Sequence, residues 1–132
     1  MSPQPLAYLL AMLGSALGGG ARLYVSTLVS RGLGTQFPWG TLAVNLLGCL
    51  VVGVIGATLS PPGRIHGFQD LRVFLVMGLL GGFTTFSAFS LEALMLVLRG
   101  AVPAALAYVG ASLVGCLFAA WLGFFLTSHA LR

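Results

Sequence analysis

The sequence predicts an all-α integral membrane protein with four transmembrane helices, and three observations carry that prediction. First, 58% of the 132 residues are hydrophobic and only 6% are charged, whereas an average soluble domain has roughly 25% charged residues. Six Arg, one Asp and one Glu, with no Lys, cannot solvate the surface of a soluble fold of this length. Second, the apolar residues fall into four stretches, each of the about 20 residues a helix needs to cross a hydrocarbon core of roughly 30 Å. Third, there are 19 Gly, about twice the share expected from average usage of roughly 7%. Small residues let membrane helices approach closely, since lipid supplies no hydrophobic drive between them. Intrinsic disorder is excluded by the hydrophobicity. The net charge of +4 and the pI of about 9.8 reflect scattered arginines and a shortage of acids. They form no basic patch, so no nucleic-acid partner is expected.

Taken in order, the first span is expected at about 6–29, interrupted by Arg22. The second, at about 40–59, is ended by Ser60-Pro61-Pro62-Gly63, a helix-breaking run. The third, at about 73–98, contains Glu92, and the fourth, at about 103–128, places Pro103 in a first helical turn, where proline is well tolerated. These spans leave only short links, so 1–132 reads as a single membrane domain. No basic residue precedes the first apolar run, and no cleaved signal peptide is expected. Cys49 and Cys116 both fall inside spans, where small packing roles are expected rather than a disulfide or a metal pair.

Four spans put both termini on one side of the membrane. Arg64, Arg72 and Arg132 then lie on that side, Arg31 and Arg99 lie opposite, and Arg22 sits nearer the latter. Orientation normally follows an excess of Lys and Arg in cytoplasmic loops. With almost no excess, the chain is expected to insert both ways and to form a dual-topology antiparallel homodimer. A four-helix protomer is also thin for enclosing a pathway alone.

Polar residues at membrane depth are costly and usually face a partner or a pathway. Arg22 either snorkels to the headgroups or places a positive charge at the mouth of a polar vestibule, raising the local anion concentration. Asn45 either hydrogen-bonds a neighbouring helix or donates to an anion. In the third span, Gly81-Gly82-Phe83-Thr84-Thr85-Phe86-Ser87-Ala88-Phe89-Ser90 is poor continuous helix. It is either a glycine-hinged kink or a break, which lipid tolerates only where protein or a cavity satisfies the freed backbone. Freed carbonyls can hold a hard cation, and half-helix N-termini attract anions. Phe86 and Phe89, spaced i, i+3, share a face; they are ordinary packing or two positive ring edges along an anion path. Tyr108 and Ser112, spaced i, i+4 on the fourth span, lead on to Cys116 and Ala120. Tyr108 is either an interface anchor or part of such a path.

Carboxylates are scarce. Asp70 precedes the third span, Glu92 lies toward its C-terminal end, and the other spans have none. There is no catalytic triad, metal-ligand cluster or phosphate-cradling loop, and hydroxyl residues without a base in reach are not nucleophiles. The chain is not expected to be an enzyme.

Together, Gly18-Gly19-Gly20-Ala21-Arg22, Gly40-Thr41-Leu42-Ala43-Val44-Asn45-Leu46-Leu47-Gly48 and the run from Gly81 to Ser90 resemble the Fluc (CrcB) family of fluoride channels, over essentially the whole chain. The resemblance implies a dual-topology antiparallel homodimer in the cell (inner) membrane of a bacterium. It implies two pores flanking a central structural sodium ion, passive export of fluoride and exclusion of chloride. By position, the Gly81 and Thr84 carbonyls of both subunits would hold the sodium. Phe86 and Phe89 would box the pore, Asn45 would hydrogen-bond fluoride, and Arg22 would sit in the vestibule. Thr85, Ser87, Tyr108 and Ser112 would line the path. Cys116 and Ala120 interrupt the family's longer hydroxyl stripe, and Ala88 stands where the family often has Thr. Two rival readings are a small proton-coupled multidrug transporter, for which Glu92 is the one candidate carboxylate in a span, and a non-transporting membrane assembly subunit.

Overall fold

The computed structural model describes residues 5–59 and 68–131. The run at 60–63, Arg64, His66 and Arg132 lie outside the described residues. Four helices are long and apolar enough to cross a membrane: Pro5–Leu33, Trp39–Leu59, Gln69–Leu98 and Val102–Ala130. At about 1.5 Å per residue, the two 29-residue helices are roughly 43 Å long, more than the roughly 30 Å hydrocarbon core. The chain is therefore a multi-pass, all-helical membrane protein among its described residues.

The second and third spans end where expected, at Leu59 and Leu98, whereas the first and fourth run on to Leu33 and Ala130 and the third begins earlier, at Gln69. The first helix continues past Arg31 to Leu33 and stops at Gly34 (φ +88°), a left-handed conformation that glycine adopts without steric cost. Gly100 (φ +78°) closes the third span in the same way. The fourth helix opens with Pro in its first turn, as expected for a residue that has no N–H to leave unpaired.

Packing is uneven. The second and fourth helices make the most extensive contact, and the first helix lies mainly on the first part of the third span. Both contacts are sealed by glycine. A methyl group at Gly14 would stand 2.6 Å from the Phe74 carbonyl oxygen, and one at Gly18 would strike the Leu79 carbonyl. Gly53 and Gly123 lie in the same way against the Ala120 and Leu50 carbonyls. Gly19, Gly20 and Gly110, also read as packing residues, have open space where a side chain would go.

A small apolar core of Leu42, Phe89, Leu96, Ala105 and Tyr108 joins the second helix, the latter part of the third span and the fourth helix. Elsewhere the apolar residues point outward. No more than 28% of the most apolar stretch of any span is buried within the chain. Leucines, phenylalanines and methionines cover the exterior, an exterior suited to lipid or another protein surface.

The third span changes geometry along its length. After Gln69–Arg72 it widens over Val73–Leu80 into a π-helical stretch, in which the Gly81 N–H reaches back to the Val76 carbonyl. It tightens again at Gly81–Phe83 and then stops. Thr84 (ψ 158°) and Thr85 (φ −152°, ψ 122°) are extended, and a new helix runs over Phe86–Leu98. The interruption falls inside the expected run but not at its glycines. Gly81 and Gly82 are helical, and Gly82 is needed because a methyl there would meet the Ser15 carbonyl oxygen at 2.5 Å.

Candidate functional site

The interruption at Thr84 and Thr85 is stabilised from three sides. The Thr85 N–H donates to Asn45 Oδ1 at 2.8 Å, and Asn45 Nδ2 donates to the Thr85 carbonyl at 3.0 Å. The pairing fixes the amide orientation, since an N–H must meet the oxygen and a carbonyl must meet the nitrogen. The Thr85 hydroxyl caps the following helix by accepting from the Ala88 N–H at 3.2 Å, the usual service of an N-cap threonine. It also lies 3.2 Å from the Ser87 hydroxyl.

These bonds divert backbone donors. In a continuous helix the Thr85 N–H would serve the Gly81 carbonyl and the Ala88 N–H would serve the Thr84 carbonyl. Here those two donors go to Asn45 and to the Thr85 side chain. The Gly81 and Thr84 carbonyls thus lack the donors that a continuous helix would give them.

Two cavities flank Thr85. One, of about 310 Å³, is lined by Asn45, Thr84, Thr85, Phe86, Phe89 and Ser112, with Cys49, Leu113, Cys116 and Leu117. The other, of about 690 Å³, brings Arg22, Thr85 and Ser87 together with Ser26, Thr41, Ala88 and Glu92. Nine of the ten residues singled out from sequence stand at or beside the interruption, with Gly81 just before it. Tyr108 lies on neither cavity wall.

Within the smaller cavity, the Phe86 and Phe89 rings are 5.3 Å apart and inclined at 48°. Phe86 is 73% exposed and Phe89 only 8%, so one ring stands free and the other anchors the pair. The Ser112 hydroxyl is buried and has no hydrogen-bond partner. An unpaired buried hydroxyl costs roughly 1–3 kcal/mol, so this group is available to a ligand. Asn45 uses one of its two N–H donors on Thr85, which leaves the other for the cavity. The helix over Phe86–Leu98 begins here, and its N-terminal dipole favours negative charge.

Tyr108 is fully buried, with its ring 5.3 Å from Phe89 and 5.5 Å, edge-on, from Phe37. Its hydroxyl donates to Glu92 Oε2 at 2.7 Å, and the Thr41 hydroxyl donates to Glu92 Oε1 at 2.8 Å. Glu92 thus ties the second helix to the fourth through the third. The sequence assigns no role to Thr41 and makes Glu92 only the candidate carboxylate of a proton-coupled transporter. The available signal was the cost of a carboxylate in a span, which demands donors on neighbouring helices.

Four apolar spans, an interrupted third span and two cavities at the interruption that carry a few polar groups define a small multi-pass membrane protein. The family model described as "CrcB-like protein, Camphor Resistance (CrcB)" matches residues 9–124, and the chain belongs to that family. Similar relatives include proteins named fluoride-specific ion channel FluC. The one from Methylocella silvestris is 44% identical over 116 residues, covering 88% of this chain and 88% of the relative. The one from Chelativorans sp. is 46% identical over 123 residues, covering 93% and 97%. The one from Rhizobium etli is 48% identical over 106 residues, covering 80% and 82%. The expectation that the chain is no enzyme agrees with its place in a family whose named relatives are channels.

Proposed function

We propose that this chain is a passive fluoride-selective channel of a bacterial cell membrane. The observation that carries the reading is the smaller cavity, where Asn45, Thr85, Phe86, Phe89 and the unpartnered Ser112 hydroxyl converge beside the start of a helix. The names of the relatives support fluoride as the passenger. Fluoride is small and strongly hydrated, so entry requires donors in place of water. The free Asn45 N–H, the hydroxyls and the ring edges are such donors, and selectivity then follows from path width and donor placement. Chloride, larger and more weakly bonded by each donor, does not recover its dehydration cost there. Arg22 on the larger cavity raises the anion concentration at the entrance.

The working form in this reading is an antiparallel homodimer with two pores. Phe86 stands exposed on a single chain, so a second copy would complete the wall around it. A structural sodium ion would be held by the Gly81 and Thr84 carbonyls of both subunits. Carbonyl oxygens are hard donors suited to a hard cation, and both have lost their helical partners to side-chain competition. The ion would supply positive charge that satisfies these carbonyls. The proton-coupled alternative needs Glu92 free to exchange protons with a passenger, and both its oxygens are bound by neighbouring hydroxyls.

Efflux from proteoliposomes read with fluoride and chloride electrodes tests the function. Fluoride release with negligible chloride release is expected; equal release of both, or none of either, overturns the reading. Phe86→Ile is expected to cut fluoride efflux sharply while leaving the dimer intact by size-exclusion chromatography.

A further inference from the structure

The second and fourth helices each carry one cysteine, and the fold brings both to one cavity. Gly53 against Ala120 and Gly123 against Leu50 bring these helices together backbone to backbone, close to the level of Cys49 and Cys116. Cys49 stands one helical turn before Gly53 and Cys116 one turn before Ala120, so the two fall at matching levels of the same helix contact. Both are free, and both line the smaller cavity beside Phe86, Phe89 and Ser112. Among the described residues no third His, Cys, Asp or Glu joins them, so a four-coordinate zinc-type ligand set is not formed. Two thiols alone suit soft d10 ions that are content with two sulfur ligands.

We propose that Cys49 and Cys116 form a two-thiol site for a soft d10 cation, Hg(II), Ag(I) or Cu(I), in the wall of the smaller cavity, and that an ion bound there obstructs the cavity. With Hg(II), two S–Hg bonds form, both Sγ–H protons pass to water, and no oxidant is required. Two thiolates cancel the charge of a divalent ion, so the loaded site is neutral, and neutrality removes most of the cost of placing an ion in a low-dielectric wall. The sequence alone reads these cysteines as packing residues because nothing in their spacing, 67 positions apart, shows that the helices align them. Obstruction of flux rests on the fluoride reading; formation of the metal site does not.

The test uses the full chain. Purified protein in detergent is titrated with mercuric chloride and its free thiols are counted. Both thiols are expected to disappear at one Hg(II) per chain, with a thiolate-to-mercury absorption band and an unchanged elution volume. In Cys49→Ser or Cys116→Ser, a small competing monothiol is expected to strip the metal at a concentration about tenfold lower than in the unmodified chain, about 1.4 kcal/mol of binding. Loss of one thiol per Hg(II), or equal resistance to stripping in either variant, overturns the site. In proteoliposomes, one equivalent of Hg(II) is expected to lower fluoride efflux about tenfold and a dithiol chelator to restore it, whereas Cys49→Ser/Cys116→Ser keeps its own metal-free rate. Undiminished efflux from protein that has lost both thiols overturns the obstruction. Absent efflux before any metal is added overturns the fluoride reading instead, and the thiol titration still decides the site.

Discussion

The two halves of the third span are held in place by different forces. Residues 73–83 lie on the first helix by main-chain contact, through positions where Gly14, Gly18 and Gly82 leave no space for a methyl group. The half over Phe86–Leu98 is held by side chains, through the apolar core at Phe89 and Leu96 and through polar atoms: Asn45 on the Thr85 backbone, and Thr41 and Tyr108 on Glu92. One half should therefore be sensitive to added volume and the other to a lost donor or acceptor. The change from one regime to the other falls at Thr84 and Thr85, where the regular backbone ladder stops and side chains take over.

The sharpest way to break this comparison is Asn45→Leu. It removes the partners of both the Thr85 N–H and the Thr85 carbonyl, at roughly 1–3 kcal/mol for each group left unsatisfied. The expected outcome is a large fall in the apparent melting temperature in detergent, with loss of fluoride efflux. Gly18→Ala comes next, because its methyl meets the Leu79 backbone, which cannot swing aside. A loss of about 1–3 kcal/mol is expected from overpacking, read as a lower melting temperature. Tyr108→Phe deletes one hydroxyl and leaves Glu92 with Thr41 alone, at a cost of about 1.5–3 kcal/mol for a bond to a charged group. Combined with Thr41→Val it should be non-additive, since both hydroxyls serve one carboxylate. The smallest effect is expected at Gly81→Ala, whose methyl would lie 3.6 Å from its nearest neighbour, an ordinary contact. Alanine there should hold or raise stability by up to about 1 kcal/mol, although the adjacent Gly82→Ala should lower it. Equal responses at these two neighbouring glycines would undo the assignment of Gly82, and not Gly81, to the close contact with the first helix.

The four spans were legible in the sequence because hydrophobicity and length report directly on the solvent a helix must face. So was the neighbourhood of the interruption, since Gly-Gly followed by hydroxyl residues is poor helix. Its location two residues past the glycines was not legible. That location depends on Asn45, which captures the Thr85 N–H from 40 positions away. Tyr108 shows the same limit. Spacing places it on the stripe of Ser112, but only the approach of Phe37, Phe89 and Glu92 turns it into the core. Glu92 stands out as a carboxylate in a span, but its partners Thr41 and Tyr108 emerge only when three helices meet.

Thr85 has its N–H, its carbonyl and its hydroxyl all engaged. A hinge needs a residue whose backbone is free to rotate, and this one is clamped at every polar atom. The gap in the third span is therefore a fixed piece of architecture rather than a joint. A path built beside it would work without a conformational cycle. Its throughput would change with temperature only as gently as diffusion in water does, and would not show the steep activation of a carrier that must rearrange for every passenger.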